Sequence, residues 1–504
     1  FSPVLTAGTA NPFAGGFSPF SVTVARADGD QDLSRIGVEL PSGLLGALGS
    51  VPLCPAAAAA AGTCDASSRV GAVTVAAGTG SAPYALDGQV FLTGPYGGAP
   101  FGLSIVVPAK AGPFDLGTVV VRARLNVDAN AARASVTSDP LPKIVGGVPL
   151  HLQRVQIAMD RPGFMFNATS CQPMQVSGAL SSVAGAVAHP AVRYQAQGCD
   201  RVPLKPSLKM EITGDAKQLG KKGAPGIEAE LTLGPGQSGL QQVKVTLPPS
   251  LALNTTNSNK PGALCEPAQA AARSCPESTR IGSAVVETPA LHEPLTGPIY
   301  FVRGERRVNG RTIATLPGLY IKLDGEGVPL DLRATSSVTA KRPQLLEATF
   351  SDVPDAPVNR VRISLKSGDG AVLQTANGVC AQQKTTRASY EGHTGGNHAA
   401  AFRATAPGCR FGISSISSTR KSVSVRVAGI GAGTLRASGR GLATTTRTIR
   451  AADTATVSAR LNRTSVRALA SGRKVEVRVQ VRFAPKTGPA KTVTRTVTVK
   501  PARK

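Results

Sequence analysis

Tryptophan is absent from this 504-residue chain, and aromatic residues make up only 4% of it. Five histidines and four methionines complete a sparse inventory of reactive or stacking side chains. Several functions are excluded at once. There is no Gly-x-Ser-x-Gly elbow, no His-Glu-x-x-His, no phosphate-cradling loop ending in Lys-Ser/Thr and no Gly-x-Gly-x-x-Gly opening a helix. No Cys-x-x-Cys occurs, and no histidine keeps zinc-finger spacing to a cysteine. No apolar run approaches the roughly 20 residues of a membrane-spanning helix, the longest alanine run being Ala56 to Ala61. The chain opens on Phe1 with no charged-then-apolar leader, so its numbering is expected to start after processing and tells nothing against export.

What is present is glycine (55), proline (38) and many short alternations of apolar and polar residues. Alternation with period two puts one set of side chains on each face of a strand. It appears at Phe20–Arg26, Leu33–Leu40, Arg69–Val75, Phe101–Val107, Thr118–Val127 and Leu152–Ile157, with turns such as Pro41-Ser-Gly43 and Gly146-Gly147 between. The fold class is therefore all-β.

The cysteines carry the domain plan. Cys54, Cys64, Cys171 and Cys199 are spaced by 10, 107 and 28 residues, and Cys265, Cys275, Cys380 and Cys409 by 10, 105 and 29. Matching cysteines keep an offset of 209 to 211, so a unit of about 200 residues occurs twice. Other landmarks repeat in order: Leu33–Pro41 matches Leu240–Pro248, Ser68–Gly71 matches Thr279–Gly282, and Arg154–Ile157 matches Arg360–Ile363. The expected domains are two tandem disulfide-bonded β-sandwich-type units, 1–201 and 202–411, and a small immunoglobulin- or fibronectin-like sandwich, 412–504, of five or six strands and a short helix at Thr464–Ala470.

Eight cysteines in matched sets imply an oxidising compartment. Four cysteines allow three pairings per unit; the local ones, Cys54 with Cys64 and Cys171 with Cys199, are favoured. A straight helix would hold cysteines ten apart at roughly 15 Å, beyond the roughly 4.4–6.8 Å a disulfide spans, so the segment between Cys54 and Cys64 must double back.

Charge is uneven. Of the net +26, a net +18 lies from Gly412 onward, where 20 Lys or Arg meet only Asp453 and Glu476. Phe1 to Arg201 carries 12 basic and 11 acidic residues and is nearly neutral. Lys474–Phe483 and Lys491–Lys500 alternate, which gathers the charges on one strand face. That face reads either as a solvated, aggregation-resistant surface or as a surface for an anionic cell-envelope polymer. Nucleic acid is not expected, because sheet readers of nucleic acid interleave aromatics for stacking and these strands hold only Phe483.

One metal candidate stands out. Asp28, Asp30, Asp32 and Glu39 occupy the first, third, fifth and twelfth positions of a calcium loop. Leu33 stands where such a loop needs glycine, and the alternation of Leu33–Leu40 splays Glu39 away, so a polar turn is the competing reading. His393 and His398 lie in a Gly-rich loop, where solvation is favoured over metal binding.

The phrases Ala99–Pro108, Pro113–Arg122, Gly163–Pro173 and Val353–Val358 resemble a family of large, uncharacterised, exported proteins of high-GC actinobacteria. These are built from cysteine-bearing β repeats and often close on a basic β-sandwich like that around Gly431–Lys500. The resemblance covers nearly the whole chain and implies secretion and surface display, with no known ligand or catalytic residue. Where that family reads Asn-Pro-Thr before the third cysteine, this chain has Asn167-Ala-Thr169. The resulting expectation is a non-enzymatic, secreted structural or adhesive protein at the cell surface or wall, without a cofactor, contacting envelope polymer or itself. The alternative is a module binding carbohydrate or protein through loops at a sandwich end.

Overall fold

A computed structural model describes all residues except 112, 381–383, 410, 431, 451–453, 486–488 and 502–504. Besides shorter pairings, eleven strands make the main path of the sheet among the described residues of the first 200: β1 Val4–Thr9, β2 Phe20–Ala25, β3 Leu33–Glu39, β4 Arg69–Ala77, β5 Tyr84–Thr93, β6 Phe101–Ala111, β7 Phe114–Asp128, β8 Arg133–Ser138, β9 Leu152–Met159, β10 Met174–Ser182 and β11 Val187–Ala188. They join in one sheet in the order β1-β2-β9-β4-β5-β6-β7-β8-β3-β10-β11, with Ala191–Tyr194 beside β10. The sheet rolls until β1 meets Ala191–Tyr194. Its inward positions fill one apolar core that includes Val24, Val73, Val90, Leu103, Ala123 and Leu180.

A second set follows: β12 Ser207–Thr213, β13 Gly226–Thr232, β14 Leu240–Thr246, β15 Arg280–Glu287, β16 Leu295–Val308, β17 Arg311–Gly325, β18 Val328–Val338, β19 Leu346–Phe350, β20 Arg360–Leu365, β21 Thr385–Gly392 and β22 Asn397–Arg403. Its order is β12-β13-β20-β15-β16-β17-β18-β19-β14-β21-β22, which is the first order with each label raised by eleven. The cysteine repeat and the strand order thus describe the same duplication.

Each rolled sheet holds two local disulfides: Cys54–Cys64 and Cys171–Cys199 in the first, Cys265–Cys275 and Cys380–Cys409 in the second. Between Cys54 and Cys64 the helix Ala56–Ala61 lasts little more than a turn. Gly62 then takes the left-handed conformation at φ +70°, which glycine adopts without a Cβ penalty. The chain reverses there and brings the two Cα atoms to 5.5 Å.

The barrels dock end to end. Gly49 N donates to Pro289 O at 3.2 Å, and His292 Nε2 donates to Val51 O at 2.9 Å. Asp331 N donates to Asn130 Oδ1 at 2.8 Å. Apolar packing is continuous across the junction, through Leu48, Val51, Phe101, Leu291 and Val328.

Among its described residues the tail has seven strands rather than five or six: β23 Gly412–Ser418, β24 Ser422–Ala428, β25 Gly433–Arg440, β26 Thr445–Ile449, β27 Thr454–Arg460, β28 Val475–Pro485 and β29 Lys491–Val499. Sheets β23-β24-β27 and β26-β25-β28-β29 enclose a core of Val423, Val425, Val427 and Val457 with Leu435, Val477, Val479 and Val481. A helix spans Arg463–Ala470, capped by Asn462, whose side chain accepts from Ser465 N. Among the described residues no helix is long and apolar enough to cross a membrane.

Candidate anion-binding face

The tail's charge becomes a site through strand register. In the β25–β28 ladder Arg436 lies opposite Arg482 and Arg440 opposite Arg478, with Ser438 opposite Gln480 between them. All four arginines are exposed on the face away from the valine core. The flanking strands extend this face with hydroxyls. Thr446 lies opposite Arg436, while Thr496 and Thr492 lie opposite Arg478 and Arg482. The result is four guanidiniums on a bed of threonine and serine, each guanidinium offering a planar fork of N–H donors suited to phosphate or carboxylate.

Like charges directly opposite one another weaken a ladder. The second barrel avoids this: Arg360 and Arg362, neighbours on one face of β20, are interleaved with Glu230 and Glu287 at 3.2–3.7 Å. The tail does nothing comparable. Every ion pair among the described residues lies before Gly412. Glu476, the acid on β28, lies opposite Thr498.

The acidic quartet does not assemble as a calcium site. Asp28 accepts from Gly80 N at 2.7 Å, and Asp30 accepts from Ser2 N at 2.8 Å and pairs with the Phe1 amino group. Asp32 pairs with Arg26 and with His151 Nδ1 at 3.1 Å. Glu39, at the far end of β3, pairs with Arg133 at 2.7 Å. The organiser of the loop is Arg26, 6% exposed. Its guanidinium donates to the carbonyls of Leu152, Ala27 and Asp30 at 2.8–3.1 Å, and Asp32 neutralises it. Among the described residues no group of three or more His, Cys, Asp or Glu side chains is placed to hold a metal. His393 and His398 also separate: His393 Nε2 donates to Val353 O at 2.8 Å, and His398 stacks on Tyr390 with ring centroids 6.1 Å apart.

Alternation in the sequence revealed the charged faces, but not which arginines oppose which. That pairing depends on register, which no local pattern of the tail encodes.

No family model matches this chain, and no curated protein does. Among solved structures, the major pilin subunit of Bacillus cereus aligns at 7% identity and TM-score 0.19, over 69% of this chain and 84% of its own. The BSP domain of a biofilm-associated protein aligns at 8% identity and TM-score 0.14, over 99% and 81%. A Ca2+-stabilised ice-binding adhesin of an Antarctic bacterium aligns at 10% identity and TM-score 0.12, over 98% of both chains. TM-scores this low reflect shared strand content rather than a shared fold.

Proposed function

We propose that this chain is a non-enzymatic, exported protein of the cell surface, in which two docked, disulfide-locked barrels form a rigid spacer and the basic sandwich grips an anionic envelope polymer. The opposed pairs Arg436–Arg482 and Arg440–Arg478 carry the reading. A face kept only for solubility gains nothing from stacking like charges across a ladder, whereas a polyanion laid on it relieves the repulsion. The four intrachain disulfides, with no free cysteine, suit an oxidising exterior.

The test is binding of the full chain to a teichoic-type poly(glycerol phosphate). Binding is expected at low ionic strength and should vanish by about 1 M salt, where the Debye length is about 3 Å. The fourfold change of Arg436, Arg440, Arg478 and Arg482 to Gln should abolish it. Absence of binding at low salt, or full binding by the fourfold variant, overturns the reading.

A further inference from the structure

The first barrel is hollow. Its interior holds a cavity of about 220 Å³, partly open to solvent, and among the described residues lining it only Ser138 is polar. The Ser138 hydroxyl accepts Ile36 N at 3.0 Å, and this one hydroxyl falls short of the two to four polar partners that a buried water needs. Apolar cavities of this kind stay dry and take up hydrocarbon: one of about 150 Å³ holds benzene. The space here is larger, and its lining runs from Phe164 and Met165 to Leu116, Pro142 and Leu150.

The second barrel repeats the strand order with different residues at several positions of this wall. In the first, Leu103 pairs with Ala123 and Ala123 with Ser138; in the second, Leu319 pairs with Ala334 and Ala334 with Phe350. By the same registers Leu330 and Leu332 stand where the first barrel has Val119 and Val121. At these positions the second barrel carries the bulkier side chains on the same strand order.

The two ends of the void differ as well. Leu45, Leu48, Phe164 and Met165, all 5% exposed or less, close one end, and Ala290 of the second barrel adds to that seal. At the other end lies a small hairpin, Ile144–Val145 with Val148–Pro149, that has no counterpart among the described strands of the second barrel. It rests on β7: a Cβ at Gly146 would lie 3.1 Å from Leu116 Cδ2. Phe114, Ile144 and Val148, 69%, 63% and 46% exposed, make this rim apolar. Lys110 on the rim is paired with Asp115 at 3.3 Å, whereas Lys143, exposed beside the lining Pro142, has no ion pair among the described residues.

We infer that the first barrel is a receptor for a single long hydrocarbon chain, its tail in the cavity and an anionic head at Lys143. Another protein, or a second copy, docking on the apolar rim would cover the mouth but leave the deep void unfilled. Only a thin flexible chain reaches it. A free long-chain carboxylate has the right form at both ends.

Titration of the full chain with dodecanoate and dodecanol, followed by calorimetry, tests this. One dodecanoate per chain is expected. The triple variant Val119→Leu, Val121→Leu, Ser138→Phe installs the second barrel's residues and should weaken binding at least about tenfold. Lys143→Glu should weaken dodecanoate several-fold and leave dodecanol unchanged. Should the triple variant fail to fold, a spin-labelled fatty acid in the unaltered protein should broaden the methyl signals of Ile105 and Val121. No binding, binding indifferent to the triple variant, or no broadening at Ile105 and Val121 overturns the inference. So does concentration-dependent self-association through the rim without dodecanoate uptake. Extraction of a two-chain lipid from phosphatidylcholine vesicles would overturn the single-chain assignment, and equal dodecanoate binding by Lys143→Glu would overturn the head site.

Discussion

Asp355, in the loop after β19, places its carboxylate on Thr169, which belongs to the other barrel. Its Oδ2 accepts Thr169 N at 2.9 Å and Ser170 N at 3.0 Å, and its Oδ1 accepts the Thr169 hydroxyl at 2.5 Å. The Thr169 hydroxyl in turn accepts Gly239 N at 3.0 Å, so one threonine is held by two segments of the second barrel. Asp355 is 6% exposed, and charge-assisted bonds in such a setting are the strong ones. They sit two residues from Cys171, whose disulfide fixes the loop that carries Thr169.

Replacing Asp355 by Ala strands two amides and a hydroxyl away from water. We expect a loss of about 3 kcal/mol in urea unfolding, with the single transition of the docked barrels splitting into two. Asp355→Asn keeps an acceptor oxygen and should cost less. An unchanged midpoint and slope for Asp355→Ala would show that the junction is held by its apolar contacts alone.

The arginine face should trade stability for binding. Neutralising one member of each opposed pair, Arg436→Gln with Arg478→Gln, removes both cross-strand repulsions and should stabilise the sandwich by about 1 kcal/mol. Thermal unfolding at low salt reads this, and the gain should shrink as salt screens the charges. Destabilisation by the same pair of changes would mean that the guanidiniums are structural.

How much of this was legible beforehand follows from what each level of structure depends on. Strand positions, the duplication and the turn between the close cysteines come from local periodicity and spacing, and these survive in the sequence even where identity between the copies is low. The rolling of eleven strands around one core, the reach of Asp355 to Thr169 and the opposition of Arg436 to Arg482 depend on long-range register. A hydrophobic pattern specifies which face a residue takes, not which partner it meets. The cavity was illegible for a related reason. Val121 and Leu332 read alike as inward aliphatics, and only the two registers show that they occupy matching positions.

The acidic loop should be indifferent to calcium. Arg26 already supplies the cation that Asp32 neutralises, and Asp28 and Asp30 are spent on backbone donors. Addition of calcium or of a chelator is expected to leave Tm unchanged, whereas Asp32→Asn should cost about 2 kcal/mol by leaving a buried guanidinium without its counter-charge. A chelator-induced fall in Tm would restore the metal reading.

The six tyrosines, free of any tryptophan background, make alkaline titration informative. Burial pushes the Tyr194 phenol, whose hydroxyl donates to Asn167 Oδ1, up to about 12. Burial alone does the same to Tyr390. Tyr320 is raised further by burial and by its hydrogen bond to Asp331. In each case the folded protein binds the proton more tightly than the unfolded chain, whose phenols ionise near 10. The stabilisation is therefore complete below pH 10 and is lost as pH rises from 10 towards 12, because the unfolded state there releases protons that the folded state retains. Absorbance at 295 nm should show these three phenols silent through pH 11 and then rising together with loss of the folded circular dichroism. Reversible ionisation of all six near pH 10 with the fold intact would mean that water reaches Tyr194, Tyr320 and Tyr390 in the folded protein.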